Sequence, residues 1–526
     1  MRPLDNPEPR LLGGASGLTI PPAAPLLFPE QLRRQSLQRP NKIAIGDEGG
    51  SLTYAELQQA VEAVAGALLD AGLVKGDRVA TALRPSLSHA VLILGCMAAG
   101  LIPCTLNIRL TGAELRRFLA PIQPALIVAD PDNEAIVTDV GAPVTVLREA
   151  NARASVRERM QPLWSANPRV ATLIETDLAL IIPTGGTTGV PKGAVSTHRG
   201  VYLWLTSCCL NEGRSVRDVE LFFSAFFHIS IVTGWMTTLF TGGTVRILRA
   251  FDVEKSLQAI AEGATHLIGA ATMYSALRRH PGFASVDRSR VRSISVGAMA
   301  VTRDFIHEMI ADYPTARLKH TYGATEFGPV AALLHEDFTA GDIEGVGYAH
   351  AGCRILVVDE DRRPLPAGEV GELAVTCPWQ TVGYWGLEAE TASTYTDVGV
   401  CLGDLGTIDA DGRIRIVGRR KEMIISGGEN VFPLEVEAVL SGHPSVQDIT
   451  VYGAKDDYWG ERVEAAVVVR PGMTLSAEEL VAFGRASLGG YKLPKVVRFV
   501  DAIPLTGNNK PDRRALTQAA NGRGEP

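Results

Sequence analysis

Apolar positions in the first half of the chain recur at two spacings, one typical of helices and one typical of buried strands. Residues 54–72 place apolar side chains at helical intervals, with Ser51 and Thr53 before them as candidate N-caps. Residues 78–83 predict a short strand, and residues 90–104 predict a buried helix followed by a turn. Because strand-like and helix-like segments alternate, we predict mainly parallel sheets covered by helices.

The pattern changes near residue 340, where short β-like runs are separated by Gly, Pro and Asp turns. These runs predict a small antiparallel, β-barrel-like unit. A polar break at 418–422 then precedes helical and strand-like segments typical of a small α+β domain. The predicted fold is therefore α/β, with a flexible N-terminal arm over residues 1–25, a large N-terminal domain over 26–420 and a small C-terminal domain over 421–526.

Composition narrows the classes of protein that this chain can represent. The 526 residues are 46% hydrophobic and 21% charged, which is a globular composition in a chain too long for one core. A net charge of -7 lacks the basic surplus of a nucleic-acid-binding protein. Seven cysteines without a C-x-x-C pair predict reduced thiols in the cytoplasm. Residues 1–10 lack a signal-peptide core, and the apolar run at 90–104 is too short to span a membrane.

The strongest chemical signal is a loop rich in glycine and threonine at residues 184–193. It holds four glycines, three threonines and Lys192 within ten positions. Glycines let backbone N–H groups surround an anion, and the hydroxyls and the ammonium add donors and charge. The loop lacks the G-x-x-x-x-G-K-[ST] pattern of the common P-loop. We predict a loop that binds a phosphate chain, with an ordinary surface turn as the less favoured interpretation.

Four further motifs are weak when each is taken alone. Glu326 follows a glycine turn and suits Mg²⁺, which binds nucleotide phosphates through one or two carboxylates. Asp404 and Arg419 suit the hydroxyls and phosphate of a nucleotide. Adjacent glycines in the run 426–431 allow a ligand to approach the backbone closely, and Lys510 lies near the C-terminus. A solvated loop glutamate is the default interpretation of Glu326, and Asp-Gly turns between strands would explain the Asp404 and Arg419 motif equally well. By itself, Lys510 would be an ordinary tail lysine.

Taken together, the order and spacing of these motifs resemble the adenylate-forming (acyl-activating) superfamily, in its acyl-CoA synthetase or carboxylate–CoA ligase branch. The resemblance runs from about residue 30 to about residue 515. It implies an enzyme that converts a carboxylate and ATP to an acyl-adenylate and pyrophosphate, and then transfers the acyl group to the thiol of CoA. It also implies Mg²⁺ as cofactor, ATP and CoA as co-substrates, and a mobile C-terminal domain. The oligomeric state, monomer or homodimer, stays open.

The resemblance assigns roles to individual residues. It implies ATP and AMP contacts at Thr184, Gly185, Gly186, Thr187, Thr188, Gly189, Lys192, Tyr322, Gly323, Thr325, Asp404 and Arg419. It implies a metal site at Glu326 and catalytic roles for Lys510, Glu326, Thr184, Lys192 and His228. The implied acid pocket comprises His228, Trp235, Gly297, Ala298, Met299, Gly323 and Pro329. The implied CoA contacts are Arg109, Ser426, Gly427, Gly428, Glu429, Trp459, Tyr491 and Lys495, and the implied hinge is Lys421.

Some positions depart from the family pattern, and several readings stay open. Gly186 stands where Ser is usual, which removes one phosphate-facing hydroxyl, and Lys510 follows Gly-Asn-Asn rather than Gly.

The run around His228 offers no carboxylate to pair an α-ammonium, so we expect a carboxylic acid without an amino group, either aliphatic or aromatic. The alternatives are a free-standing adenylation enzyme that loads a carrier protein, a catalytically silent nucleotide-binding homologue, and a luciferase-like monooxygenase. The five charged residues of the motifs favour an active enzyme over the silent homologue.

Overall fold

The computed structural model describes residues 25–148, 154–184, 191–297, 301–341, 345–506 and 510–522. The predicted N-terminal arm therefore lies almost entirely outside the described residues. Between residues 43 and 419, strands form three sheets within the described ranges, and a further sheet follows residue 423. Among the described helices, none combines the length and apolarity needed to cross a membrane.

The first sheet is parallel except at one edge. Its strand order is Val144–Val146, Leu126–Ala129, Arg78–Ala82, Ile102–Thr105, Leu178–Pro183 and Gly193–Thr197. The last two strands are antiparallel, and the segment between them contains the loop rich in glycine and threonine. Ile102–Thr105 corrects the predicted turn after the buried helix, because this segment pairs in parallel with Arg78–Ala82.

The second sheet is mixed, with parallel strands in its centre and antiparallel strands at both edges. Its order is Tyr348–Ala349, Gly328–Leu333, Arg317–Ala324, Ser293–Gly297, His266–Gly269, Val219–Phe222, Thr244–Ile247, Ile43–Asp47 and Gly50–Thr53. The antiparallel pair Arg317–Ala324 and Gly328–Leu333 encloses the turn that carries Glu326. The predicted parallel, helix-covered sheets are thus confirmed.

The third sheet is antiparallel throughout its described pairings. Its order is Arg354–Val358, Gly371–Thr376, Gly399–Ile408 and Tyr395–Thr396, with Ile414–Arg419 also paired to Gly399–Ile408. The register places Asp404 directly opposite Arg419. Two residues that lie 15 positions apart in the chain, and that the sequence assigned to one site, are therefore cross-strand neighbours.

The C-terminal sheet belongs to a small α+β unit. Its order is Glu429–Val431, Ile424–Ser426, Gly460–Val469 and Val446–Asp456, with Val496–Phe499 paired in parallel to Gly460–Val469. A separate apolar core supports it, which includes Val436, Val451 and Val463. A hydrophobic core of its own is typical of a structural domain.

Helices cover these sheets. The α-helices are Phe28–Gln38, Tyr54–Asp70, Leu87–Ala98, Gly112–Ile122, Glu134–Val137, Val156–Arg159, His198–Glu212, Thr237–Thr241, Val253–Ala261, Ala271–Arg279, Arg303–Asp312, His335–Thr339, Glu388–Thr394, Pro433–Leu440, Ala477–Gly484 and Arg513–Asn521. The helix Tyr54–Asp70 begins at Thr53, whose side chain and Glu56 form a capping box. The helix Leu87–Ala98 is buried along its whole length, which explains its apolar sequence.

Candidate active site

The loop rich in glycine and threonine joins two antiparallel strands, so its two ends lie side by side. The N–H of Thr184 donates to the carbonyl of Lys192 over 2.7 Å, and the Thr184 side chain is buried. The predicted phosphate contacts Gly185, Gly186, Thr187, Thr188 and Gly189 lie outside the described residues. The described part therefore gives the base of the loop and the position of Lys192.

Lys192 and Glu326 meet through one tyrosine. The Nζ atom of Lys192 lies 4.7 Å from the ring centroid of Tyr384, within the range of a cation–π interaction. The hydroxyl of Tyr384 donates to Oε1 of Glu326 over 2.6 Å. A cation from one strand end and a carboxylate from a distant turn are thus held by the same side chain.

Glu326 is buried in a tight turn. Its carbonyl accepts hydrogen bonds from the N–H and the hydroxyl of Thr381, at 2.8 and 3.0 Å. A side chain at Gly323 would place Cβ 2.3 Å from the carbonyl oxygen of Gly328, so the turn requires glycine there. Thr325, a predicted α-phosphate contact, is half-buried beside Glu326. Burial raises the pKa of the Glu326 carboxyl, and the hydrogen bond from Tyr384 opposes that shift.

A single carboxylate of this kind fits Mg²⁺ together with a nucleotide. Oε1 of Glu326 is already held by Tyr384, which orients the carboxylate and leaves its other oxygen for a ligand. The described residues contain no group of three or more His, Cys, Asp or Glu side chains arranged to hold a metal ion. Mg²⁺ commonly takes one or two carboxylates, phosphate oxygens and waters instead of an all-protein cage, so the residues present suit it.

Asp404 is the centre of a second cluster. Its Oδ1 pairs with Nε of Arg419 at 2.9 Å, and its Oδ2 accepts the hydroxyl of Tyr322 at 2.9 Å. Burial and the neighbouring Asp404 raise the pKa of Tyr322 well above the usual range, so the hydroxyl keeps its proton and donates. A carboxylate has about four lone-pair sites, so Asp404 retains acceptor capacity for ribose hydroxyls.

Lys510 reaches the same region from the C-terminal part of the chain. Burial is the largest cause that lowers its pKa, and Arg419 adds to it, while Asp404, Glu422 and Glu326 oppose the shift. The Lys510 residue as a whole is nevertheless exposed to solvent. No ion pair or hydrogen bond holds this ammonium within the described residues, and its carbonyl accepts the N–H of Thr506 at 2.8 Å.

His228 lies beside these charges in its neutral form. Burial lowers its pKa to about 4, and Arg109 and Lys510 add to that shift. Its ring packs against Phe227 with centroids 4.9 Å apart, and the Arg109 guanidinium lies 5.7 Å from the Phe227 ring centroid. The structure therefore brings Arg109, a predicted CoA contact, next to the predicted acid pocket.

The other predicted acid-pocket residues differ in their surroundings. Trp235 is fully buried, stacks on Phe226 at 5.5 Å, and lies in a π-helical turn over Val232–Met236. Among the described residues, a Cβ at Gly297 would approach the carbonyl of Thr321, at 3.8 Å. Pro329 is buried in the strand Gly328–Leu333. Ala298 and Met299 lie outside the described residues.

The predicted CoA-tunnel residues of the C-terminal unit form one group. The N–H of Gly427 donates to the carbonyl of Trp459 at 2.8 Å, and Lys495 lies 5.3 Å from the Trp459 ring centroid. A Cβ at Gly427 would lie 2.7 Å from the indole of Trp459, whereas a Cβ at Gly428 would have no atom of the described residues within 4 Å. Ser426 is buried, and Glu429 is exposed.

Two remaining predicted residues lie outside these clusters. Tyr491 is 39% exposed and lies next to Lys492, whose Nζ is 5.6 Å from its ring centroid. Lys421 is exposed in the short 3₁₀ turn Arg420–Glu422, between the third sheet and the C-terminal sheet. A short turn between two separately packed units is where a hinge is expected.

Sequence reasoning missed the residues that hold the charged groups in place. Tyr384 carries no charge and stands in an unremarked Gly-Tyr-Trp run, so only the tertiary pairing reveals it. Arg513 was also missed, although it pairs with Glu422 at 3.0 Å and with both carboxylate oxygens of Glu437 at 2.7 and 2.8 Å. Its position three residues after Lys510 was the only available signal.

Comparison with known proteins gives consistent matches over most of the chain. The family model described as AMP-binding enzyme matches residues 32–385, and the one described as AMP-binding enzyme C-terminal domain matches residues 435–510. A feruloyl-CoA synthase from Amycolatopsis sp. is 34% identical over 480 residues, covering 91% of this chain and 96% of that protein. An indoleacetate–CoA ligase from Aromatoleum aromaticum is 31% identical over 491 residues, covering 91% and 96%. The crystal structure of ATP-bound MatB from Rhodopseudomonas palustris matches with a TM-score of 0.85 at 30% identity, covering 94% of this chain and 99% of that one.

Proposed function

The chain belongs to the family of AMP-binding enzymes, and from this premise we propose that it is an ATP-dependent carboxylate–CoA ligase. In the first step a carboxylate oxygen attacks the α-phosphorus of ATP, and the bond from that phosphorus to the oxygen that bridges the α- and β-phosphates breaks. Pyrophosphate is released, and an acyl-adenylate is formed. In the second step the CoA thiol loses its proton and attacks the acyl carbon, giving a thioester and AMP. The matches to two named CoA ligases support this reaction class.

The position of Lys510 is the observation that carries the proposal. Its ammonium interacts electrostatically with Arg419, Asp404 and Glu326, and also with His228 at the predicted acid pocket. A carboxylate and an α-phosphate are both anions, and they must approach to bonding distance. An ammonium that interacts with groups of both subsites reduces this repulsion and stabilises the charge of the transition state.

The nucleotide is held by groups on either side of Lys510. Asp404 accepts the ribose hydroxyls, with Arg419 at 2.9 Å fixing its carboxylate. Thr184 and Lys192 bind the β- and γ-phosphates at the base of the loop. Glu326 would hold Mg²⁺, which when bound neutralises phosphate charge and favours departure of pyrophosphate.

The second step uses the C-terminal unit in another orientation. Rotation at Lys421, between a domain over 26–420 and a domain over 421–526, withdraws Lys510 and brings the 426–431 loop to the adenylate. The open space at Gly428 admits the pantetheine arm, and Trp459 with Lys495 contacts the CoA nucleotide. One site thereby performs two half-reactions in turn.

The residues near His228 are most consistent with a substrate that is an aromatic carboxylic acid without an α-amino group. His228 is neutral at physiological pH because its pKa is lowered to about 4, and its neighbour Phe227 is apolar, so neither supplies an anion for an ammonium. Both named CoA ligases act on acids with aromatic rings, which supports this substrate class.

A matched panel of acids tests the proposal. We would measure ATP–pyrophosphate exchange and AMP release with cinnamate, 3-phenylpropionate, phenylalanine and octanoate, each with and without Mg²⁺ and CoA. We expect turnover of the first two acids, dependence on Mg²⁺, and faster AMP release with CoA. Phenylalanine is the control for 3-phenylpropionate, because the two differ only in the α-ammonium.

Each other outcome has a defined meaning. Exchange without any effect of CoA contradicts CoA as acceptor and implies another acceptor, for example a carrier protein. Preferred turnover of octanoate contradicts the aromatic substrate class and leaves the reaction class intact. A failure of every acid to support exchange contradicts the proposed function itself.

A further inference from the structure

Tyr384 lies where the phosphate loop re-enters its sheet. The N–H of Val195 donates to the carbonyl of Gly383 at 3.0 Å, and the N–H of Trp385 donates to the carbonyl of Gly193 at 2.9 Å. Ala194 and Tyr384, which lie between these two hydrogen bonds, are paired in an antiparallel β-bridge. The backbone of Tyr384 is therefore fixed to the strand that begins one residue after Lys192.

The hydroxyl of Tyr384 fixes a carboxylate that comes from elsewhere in the chain. It donates to Oε1 of Glu326 over 2.6 Å, and only 7% of Tyr384 is exposed. A hydrogen bond to an ionised acceptor in a buried setting is stronger than one between neutral groups. The bond restricts the orientation of the Glu326 carboxylate.

The ring of Tyr384 makes a second, separable contact. Nζ of Lys192 lies 4.7 Å from the ring centroid, so the negative face of the ring attracts the ammonium. The hydroxyl lies at the edge of the ring and does not take part in this contact. One residue therefore makes two contacts that different substitutions remove one at a time.

Surrounding groups hold Tyr384 in this position. Its N–H donates to Oγ1 of Thr391 at 2.9 Å, and its ring packs edge-to-face on Tyr395 with centroids 5.7 Å apart. The hydroxyl of Tyr395 meets Oγ1 of Thr381 and not the Glu326 carboxylate. Tyr395 therefore shares the packing of Tyr384 without its contacts to the two charged groups.

We propose that Tyr384 is a positioning residue that sets the geometry of the Glu326 carboxylate and the Lys192 ammonium for binding of the metal–ATP complex. The inference rests on the proposed function, because Glu326 and Lys192 have their roles there. Groups that hydrogen-bond a metal ligand typically contribute about 10–100-fold to metal affinity. The hydroxyl should thus control cation affinity, and the ring should control the contribution of Lys192 to nucleotide affinity.

Three variants separate these contributions. Tyr384→Phe removes the hydroxyl and keeps the ring, Tyr384→Leu removes both, and Tyr395→Phe is the matched control. We would titrate each full-length protein with Mn²⁺ in the presence of α,β-methylene-ATP, following free Mn²⁺ by EPR, and would measure affinity for the analogue alone by calorimetry. Thermal unfolding of each variant verifies that it is folded.

We expect Tyr384→Phe to bind Mn²⁺ about tenfold more weakly, with affinity for the analogue alone within about twofold of wild type. Tyr384→Leu should show the same loss for Mn²⁺ and an additional loss of about two- to tenfold for the analogue. Tyr395→Phe should match wild type. Unchanged Mn²⁺ affinity in Tyr384→Phe, or an equal loss in Tyr395→Phe, overturns the proposal.

The binding readout keeps this proposal distinct from the proposed reaction. If no acid supports pyrophosphate exchange while Mn²⁺ binding still depends on the Tyr384 hydroxyl, the proposed function fails and the positioning role stands. If exchange occurs and the hydroxyl does not affect Mn²⁺ binding, the positioning role fails and the function stands. A wild-type complex that binds no Mn²⁺ overturns the positioning role, because Glu326 then holds no cation.

Discussion

At the scale of single residues, the account depends on charged groups whose ionisation the fold controls. Lys510 has a pKa below the usual range of lysine, since burial and Arg419 disfavour its charged form. His228 remains neutral because its own pKa is lowered to about 4. The proposed first step requires the charged form of Lys510, so its rate depends on the protonation of this one group.

The lowered pKa of Lys510 predicts the pH dependence of adenylate formation. A lysine is active while protonated, so the rate should be full below the lowered pKa and should fall as the pH rises through it, before the ordinary value of about 10.4. We would measure kcat/KM for pyrophosphate exchange between about pH 6 and about pH 10. The control is Lys510→Arg, whose guanidinium stays charged in this range and should abolish the alkaline decline. An identical decline in that variant would show that another group causes it.

At the scale of elements, strand pairing and one helix bring distant motifs together. Asp404 meets Arg419 through the register of two antiparallel strands. Lys510 is followed by the helix Arg513–Asn521, and the side chain of Arg513 contacts three separate segments. It donates to the carbonyl of Val451 at 3.0 Å and pairs with Glu422 and Glu437. Arg513 thus ties the segment bearing Lys510 to the turn that contains Lys421.

Removal of the Arg513 side chain should impair the first half-reaction more than the second. Arg513→Ala leaves Glu437 without its charged partner, although the N–H of Val451 still donates to it. We expect a cost of about 2 kcal/mol of stability, less than for a fully buried pair because both side chains are partly exposed. Pyrophosphate exchange should fall at least about tenfold, because Lys510 is no longer positioned. Thioester formation from supplied acyl-adenylate should change less than threefold or so.

The neighbouring residue provides the control for that experiment. Arg514 is exposed and lies one position further along the same helix. Arg514→Ala removes the same number of atoms and the same charge, and should leave both half-reactions unchanged. Equal losses of both half-reactions in Arg513→Ala would indicate general destabilisation of the C-terminal unit instead of loss of positioning.

Much of the element pattern was predictable from sequence, and the contacts between elements were not. Apolar spacing gave the helix Tyr54–Asp70 and the strand Arg78–Ala82 within two residues, because local periodicity determines them. The motif residues Lys192, Glu326 and Asp404 were identifiable because their charged side chains indicate which groups they can bind. Tyr384 was not, since its role arises from a tertiary bridge to Ala194 that no local pattern encodes.

At the scale of the whole molecule, the structure combines a large set of sheets with a small unit that has its own core. Lys510 and the 426–431 loop both belong to that small unit, and Lys510 interacts electrostatically with Asp404 and Glu326. This arrangement suits adenylate formation. In the proposed mechanism, the second half-reaction requires the small unit to turn about Lys421 and present the other loop.

The central claim is that one site performs two half-reactions because the small unit presents first Lys510 and then the 426–431 loop to it. The most direct measurement compares pyrophosphate exchange with thioester formation from supplied acyl-adenylate in wild type, Lys510→Ala and Lys421→Pro. We predict that Lys510→Ala lowers exchange at least about a hundredfold and spares thioester formation. Lys421→Pro, which stiffens the turn, should impair thioester formation more than exchange. Equal loss of both half-reactions in Lys510→Ala, or unchanged thioester formation in Lys421→Pro, would contradict the account.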